Sequence, residues 1–181
     1  MFTLKASRKA KEGKVVAIEP HPLNYMILLK NITINKLKNV IPVNLALSDS
    51  KGVAKLYISR KSLGHTIKGK RIEVSREGFP THINCIEVKT KTLDQVVDEL
   101  GLSKVDFIKI DVEGAELDVL KGATKALEEN NVFLAIAAHH IPEEVLEIAK
   151  YLRMKGFKVF SNGEYVYAFK PSLGSCTLFK C

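Results

Sequence analysis

The sequence predicts an α/β fold: a doubly wound, mostly parallel sheet with helices on both faces and an antiparallel hairpin at the C-terminal end. Three observations carry this. Short β-branched runs alternate with helical patterns along the chain. Several of those runs are apolar almost without interruption, as in strands buried on both faces. Near the end, Asn162-Gly163 separates two aromatic-rich runs, the strongest short hairpin signal. The 181 residues amount to a single domain, with residues 60–83 as an insertion and 171–181 as a tail.

The elements follow in order. Lys14–Glu19 reads as a buried strand, stopped by Pro20 and Pro22, which start a helix over 22–36 with Leu23, Met26, Ile27 and Leu29 on an apolar face. Asn39–Asn44 is a second strand, and Asp49-Ser-Lys-Gly52 a turn into a strand at 53–59. Another strand covers 84–89. Thr92 caps a helix from Leu93 to Leu100 that Gly101 ends. Val105–Asp111 is a strand, followed by one helix over 115–129 in which Leu117, Leu120, Thr124 and Leu127 keep helical spacing. Val132–Ala138 is the most apolar strand. Pro142 opens a helix to Met154, Gly156 closes it, and 157–160 with 165–169 form the hairpin.

The net charge of +8 is concentrated. Residues 1–14 and residues 60–80 each carry a net +4, so the rest of the chain is balanced. Such a surface favours anionic partners, although a solvated basic face has the same composition. Nucleic acid is disfavoured, since no aromatic stacking platform or recognised motif accompanies the charge. No apolar run is long enough for a membrane helix, and MFTLKASRKAKEGK lacks the apolar core of a secretory signal. Cys85, Cys176 and Cys181 have no metal-ligand spacing and read as reduced thiols of a cytoplasmic protein. Neither do His21, His65 and His82 supply one, so no metal is expected. Lys/Glu-rich, Gln-poor usage points to a thermophilic source.

In a doubly wound sheet the ligand lies outside the carboxyl ends of the strands. Glu19 ends the first strand, where a carboxylate can accept hydrogen bonds from a ribose diol, or simply be a solvated acid. Residues 106–116 are the most specific stretch. Asp111 and Glu113 leave a strand tip beside Gly114, which permits close backbone approach, and Glu116 suits the positive end of the following helix. His139 ends a strand, with His140 next to it. His139 has the chemistry of a general base toward a hydroxyl, or of a structural residue bonded to a nearby loop. The long 60–83 connection, with Arg60, Lys61 and His65, reads as a substrate-recognition loop, the alternative being a mobile surface insertion.

The segments GKVVAIEPHPLNYMILLKN (13–31), NVIPVNLALSD (39–49) and TLDQVVDELGLSKVDFIKIDVEGAELDVLKGA (92–123) resemble an FkbM-type methyltransferase, a class I fold that uses S-adenosylmethionine. The resemblance implies that Glu19, with Pro20 in the IEPHP motif, holds the cofactor ribose. It implies that Ser48 and Asp49 flank the adenine, and that Asp111 and Glu113 lie by the methionine moiety and the methyl-transfer site.

Two departures stand out. Family members ordinarily open with a strand and a turn like Asp-(Ile/Val)-Gly-Ala-Asn-(Ile/Val)-Gly. This chain opens at Met1-Phe2-Thr3-Leu4 and contains no G-x-G, so the central first strand and main cofactor cradle are expected to be missing. Its neighbours at 14–19 and 105–111 would then pair directly or accept a strand from another copy, or else the chain would be poorly stable alone. Many members also carry an acid two residues before the histidine, where this chain has Ala137. The expected activity is O-methylation of a hydroxylated, sugar-like or anionic small molecule. The alternative is a truncated, non-catalytic binding module whose basic surface meets anionic or nucleic-acid partners. A homo-oligomer is compatible with either.

Overall fold

A computed structural model describes residues 2–59, 65–68, 82–138 and 143–171. The chain forms two units, residues 1–91 and 92–181.

The first unit contains α1 (Phe2–Lys9), β1 (Val15–Ile18), α2 (Pro22–Ile34), β2 (Val40–Val43), β3 (Ala46–Leu47), β4 (Gly52–Ser59) and β5 (His82–Lys91). β1 and β2 are parallel, in register from Val15 opposite Val40 to Ile18 opposite Val43. The ladder continues one bond past each end, from Val15 N–H to Asn39 C=O and from Glu19 N–H to Val43 C=O. Asn39 also fixes α1. Its amide nitrogen donates to the Ser7, Ala10 and Gly13 carbonyls, and its oxygen accepts the Ser7 hydroxyl. Those carbonyls belong to the last turn of α1 and the segment after it, which have no partners within the helix.

β4 and β5 make a long antiparallel hairpin, which β3 joins by pairing parallel with the end of β5. Ala46, Leu56 and Val88 are buried together beneath Ile67 and Ile86. The segments expected as successive strands of a parallel sheet therefore pair with each other, and antiparallel pairing has a larger share than expected. β3, two residues long, is too short to leave a periodic signal.

α2 forms where expected, but its faces are reversed. It packs on β2 with Tyr25, Leu28 and Ile32 half-buried, while Leu23, Met26, Ile27 and Leu29 are exposed. The helix is apolar nearly all round, so hydrophobic periodicity could not select the face that meets the sheet.

The second unit contains α3 (Leu93–Glu99), β6 (Phe107–Ile110), α4 (Glu116–Lys121), α5 (Thr124–Glu129), β7 (Phe133–Ala137), α6 (Glu144–Met154), β8 (Lys158–Ser161) and β9 (Tyr165–Phe169). Its sheet has the order β6-β7-β9-β8, parallel between β6 and β7 and antiparallel after that. Ile108, Ile110, Leu134, Ile136, Val166 and Ala168 make one buried face, in a core that also holds Leu120, Leu127, Ile148 and Leu152. The opposite face carries a row of stacked rings: Phe107 on Phe133, Phe133 on Phe169, and Phe169 on Phe160. The hairpin forms as expected, with Gly163 at φ 92° in its turn.

The helix expected over 115–129 is two helices. Gly122 leaves helical geometry at the end of α4, and the first N–H groups of α5 then need acceptors. Asp94 of α3 supplies them, accepting from Lys125 N–H (2.8 Å) and Ala126 N–H (2.9 Å). The break is stabilised by a residue some thirty positions away in the chain, which periodicity cannot register.

Asn39→Ala removes the donor that holds three carbonyls in and just after the last turn of α1. Losing these bonds is expected to destabilise the fold by about 1–3 kcal/mol in urea denaturation.

Candidate functional site

In the first unit the site is built on the turn that follows β1. Pro20 and Pro22 have no N–H, so His21 N–H is the turn's remaining donor, and it donates to Glu19 Oε1 at 2.9 Å. The Asn24 side chain hydrogen-bonds the same carboxylate. From the end of β2, Asn44 Nδ2 donates to the carbonyls of Glu19 (2.8 Å) and Pro20 (3.2 Å). Glu19 is thus fixed in orientation by its own turn and by the neighbouring strand. Its carboxyl is raised above the ordinary glutamate value chiefly because it is partly buried; the His21 N–H, the His21 ring and Asn24 pull it down less strongly.

His21 caps α2, its buried ring accepting Asn24 N–H at Nδ1. Its ring also lies against that of His65, centroids 4.4 Å apart and planes tilted by 30°. His65 Nδ1 accepts Ser59 N–H at 3.0 Å, and the next residue, Thr66, bridges back to Tyr57. With both Nδ1 atoms accepting, each neutral ring carries its proton on Nε2. One residue expected in the substrate loop therefore lies against the turn that holds Glu19. Ser48 and Asp49 sit after β3: Ser48 N–H donates to Lys91 C=O, and the Ser48 and Ser50 hydroxyls donate to the exposed Asp49 carboxylate.

In the second unit the corresponding tip follows β6. Lys109 and Asp111 share one side of the strand by its two-residue period and form an ion pair at 2.6 Å, with side chains 29% and 45% exposed. Glu113 takes φ 56° and Gly114 φ 95°, two consecutive left-handed residues of which only glycine adopts the conformation freely. Glu116 is 0% exposed, with one carboxylate oxygen accepting Val112 N–H (3.0 Å) and the other Gly114 N–H (2.8 Å). The acid expected to serve a helix end thus clamps the loop bearing Asp111 and Glu113. An acid two residues beyond a glycine, in a strand-to-helix turn, is the sequence signal for this clamp. Asn44 and Lys109, also unassigned from sequence, had weaker signals, being an ordinary strand-end amide and a strand lysine.

His139, Arg60 and Lys61 lie outside the described residues. Among those described, no three His, Cys, Asp or Glu residues form a metal site, and no helix is long and apolar enough to cross a membrane. An open groove lined by Glu128, Tyr151, Met154, Lys155 and Gly156 lies where α5 and α6 end, at the opposite end of β7 from the strand tip. On its wall Lys155 pairs with Glu128 at 2.6 Å and holds that carboxyl below its usual range.

Glu116→Ala strands two backbone N–H groups in a buried loop. It is expected to cost about 3 kcal/mol in denaturant unfolding, and Glu116→Gln, which keeps one acceptor, roughly half as much. Glu113→Gly relieves the left-handed strain and should stabilise by up to about 1 kcal/mol, whereas Glu113→Val should destabilise by at least as much.

Residues 2–159 match the family model described as the methyltransferase FkbM domain. The methyltransferase sdnD of Sordaria araneosa is 30% identical over 67% of this chain and 56% of its own length. The hexuronic acid methyltransferase AglP of Haloferax volcanii is 34% identical over 76% of this chain and 53% of its own. The chain therefore spans about half the length of these curated relatives. The crystal structure of methyltransferase FkbM from Methylobacillus flagellatus KT superposes with a TM-score of 0.58 at 20% identity, over 86% of this chain and 36% of that one, a likeness of fold. With its α/β fold and a family match over nearly its whole length, this chain belongs to the FkbM methyltransferase domain family.

Proposed function

We propose that the chain belongs to an S-adenosylmethionine-dependent methyltransferase that acts on a hydroxyl of an acidic, sugar-like small molecule. The observation that carries this reading is Glu19. It is an oriented, partly buried carboxylate at the carboxyl end of a parallel strand, using two hydrogen bonds out of the roughly four that a carboxylate accepts. Those free acceptor positions fit the two hydroxyl donors of a ribose diol. The name of one relative, a hexuronic acid methyltransferase, and the net +4 of residues 60–80 support an anionic acceptor.

When bound, the cofactor supplies a methyl group already activated on a sulfonium. The roles of this chain's residues are binding, orientation and proton acceptance. Glu19 would hold the two ribose hydroxyls, and Pro20 keeps the turn free of a competing donor. Ser48 and Asp49 would serve the adenine. Asp111 and Glu113, on a loop that Glu116 holds, would serve the methionine moiety. His139 accepts the proton of the acceptor hydroxyl, a contribution of about 10²–10⁴-fold. Arg60, Lys61 and His65 belong to the loop that meets the acidic acceptor.

Glu19→Ala is expected to weaken S-adenosylhomocysteine binding by about 10- to 150-fold in calorimetry without unfolding the protein, the loss of a charge-assisted hydrogen bond. An unchanged affinity in the folded variant overturns the assignment.

The pH dependence has a definite sign. The native carboxyl binds its proton more tightly than the unfolded one, so this group's contribution to stability falls as pH rises from the ordinary value of 4.5 through the raised native value. Hydroxyl donors favour the ionised form, so ligand affinity should fall as pH drops through that window. At neutral pH, Glu19→Gln should bind ligand less well and melt no lower than the parent.

Asp111→Asn should change stability by less than about 1 kcal/mol, because its ion pair with Lys109 is half exposed. Methyl transfer by the protein should fall strongly. A variant with a lower melting temperature and unaltered turnover per folded molecule makes Asp111 a structural residue.

A further inference from the structure

Helix α2 is apolar on the side that faces away from its sheet. Leu23, Met26, Ile27 and Ile34 are 64%, 54%, 56% and 76% exposed, and Lys30 is the single charged residue of the helix. A helix that is hydrophobic all round is a covered helix. Leu23, Ile27, Lys30 and Ile34 succeed one another at steps of four, three and four residues, a continuous stripe about 16 Å long.

That spacing is the same from either end. Laid antiparallel on itself, about a two-fold axis between positions 28 and 29, the stripe sets Leu23 against Ile34 of the second copy. Ile27 meets the aliphatic stem of the second copy's Lys30, whose ammonium reaches water at the rim, and Met26 fills the space between. An antiparallel pair also sets the helix dipoles favourably.

We propose that this stripe is a homodimer interface and that its occupant is α2 of a second copy of the chain. The exposed apolar side chains of α2 amount to roughly 500 Å² per copy, so symmetric pairing removes about 1,000 Å², the floor for a specific interface. An acidic protein partner is a poorer fit, since the stripe offers it only Lys30. The net charge of +8 works against self-association, so the dimer strengthens as salt screens it. This inference stands apart from the methyl-transfer reading.

The test is sedimentation velocity on the chain from about 1 to 100 μM, at low and high salt. The expected result is a shift toward twice the chain mass, stronger at high salt. Ile27→Glu, at an exposed position, should weaken association by at least about 100-fold, with unchanged circular dichroism and, at concentrations where the parent is monomeric, an unchanged melting temperature. Register is read by oxidation in a background with Cys85, Cys176 and Cys181 changed to Ser. Leu23→Cys protein mixed with Ile34→Cys protein should give a disulfide-linked dimer, and neither should do so alone. Three results overturn the proposal: a monomer throughout; a cross-link of Leu23→Cys to itself, which marks parallel pairing; or a monomer that binds phosphatidylcholine–phosphatidylserine vesicles through Ile27, which makes a lipid surface the occupant.

Discussion

A parallel strand that runs into a helix leaves the backbone N–H groups of the connecting turn beyond the reach of its ladder, and each must find an acceptor or be denied water at a cost. In this protein the acceptors are carboxylates of the chain itself. Glu19 takes His21 N–H after β1, and Glu116 takes Val112 and Gly114 N–H after β6. Around the first turn, two prolines reduce the number of donors to be satisfied, and Asn44 secures the carbonyls from the next strand. Around the second, two left-handed residues let the chain reverse within reach of Glu116. The strand tips keep their shape because these bonds hold them, and the side chains they display inherit that rigidity.

The two glutamates illustrate how environment divides the work. Glu116 is fully buried with both oxygens engaged by backbone, so it has the geometry of a clamp. Glu19 is only partly buried, and burial outweighs its hydrogen bonds in setting its proton affinity. Its unused acceptor positions and unfavourable ionised state are what a donor ligand would relieve. A group that lowers native stability until a partner arrives is common at functional positions.

Much of the fold was legible because local chemistry and tertiary structure agree. Thr92 caps α3 with a full capping box to Gln95, Gly101 and Gly156 end their helices with positive φ, and Asn162-Gly163 turns the hairpin. Glu19 and Asp111 could be located at strand ends from the pattern of apolar runs alone. The division of residues 115–129 could not, because the acceptor that stabilises it, Asp94, is distant in sequence. Nor could the face of α2, where Leu23 and Leu28 are equally apolar and only contact with β2 separates them.

The sequence by itself determined the positions of most strands and helices, the family, and which acids stand at strand tips, since these follow from short-range periodicity, turn residues and motif spacing. Tertiary structure decided the rest. It paired β4 with β5, set His65 against His21, and buried Glu116 against the loop before it while leaving Asp111 beside Lys109 at the surface. The physical reason is common to all of these. Burial and hydrogen-bond partnership depend on what approaches through space, and a carboxylate's identity in the sequence does not say how many of its oxygens the backbone will claim.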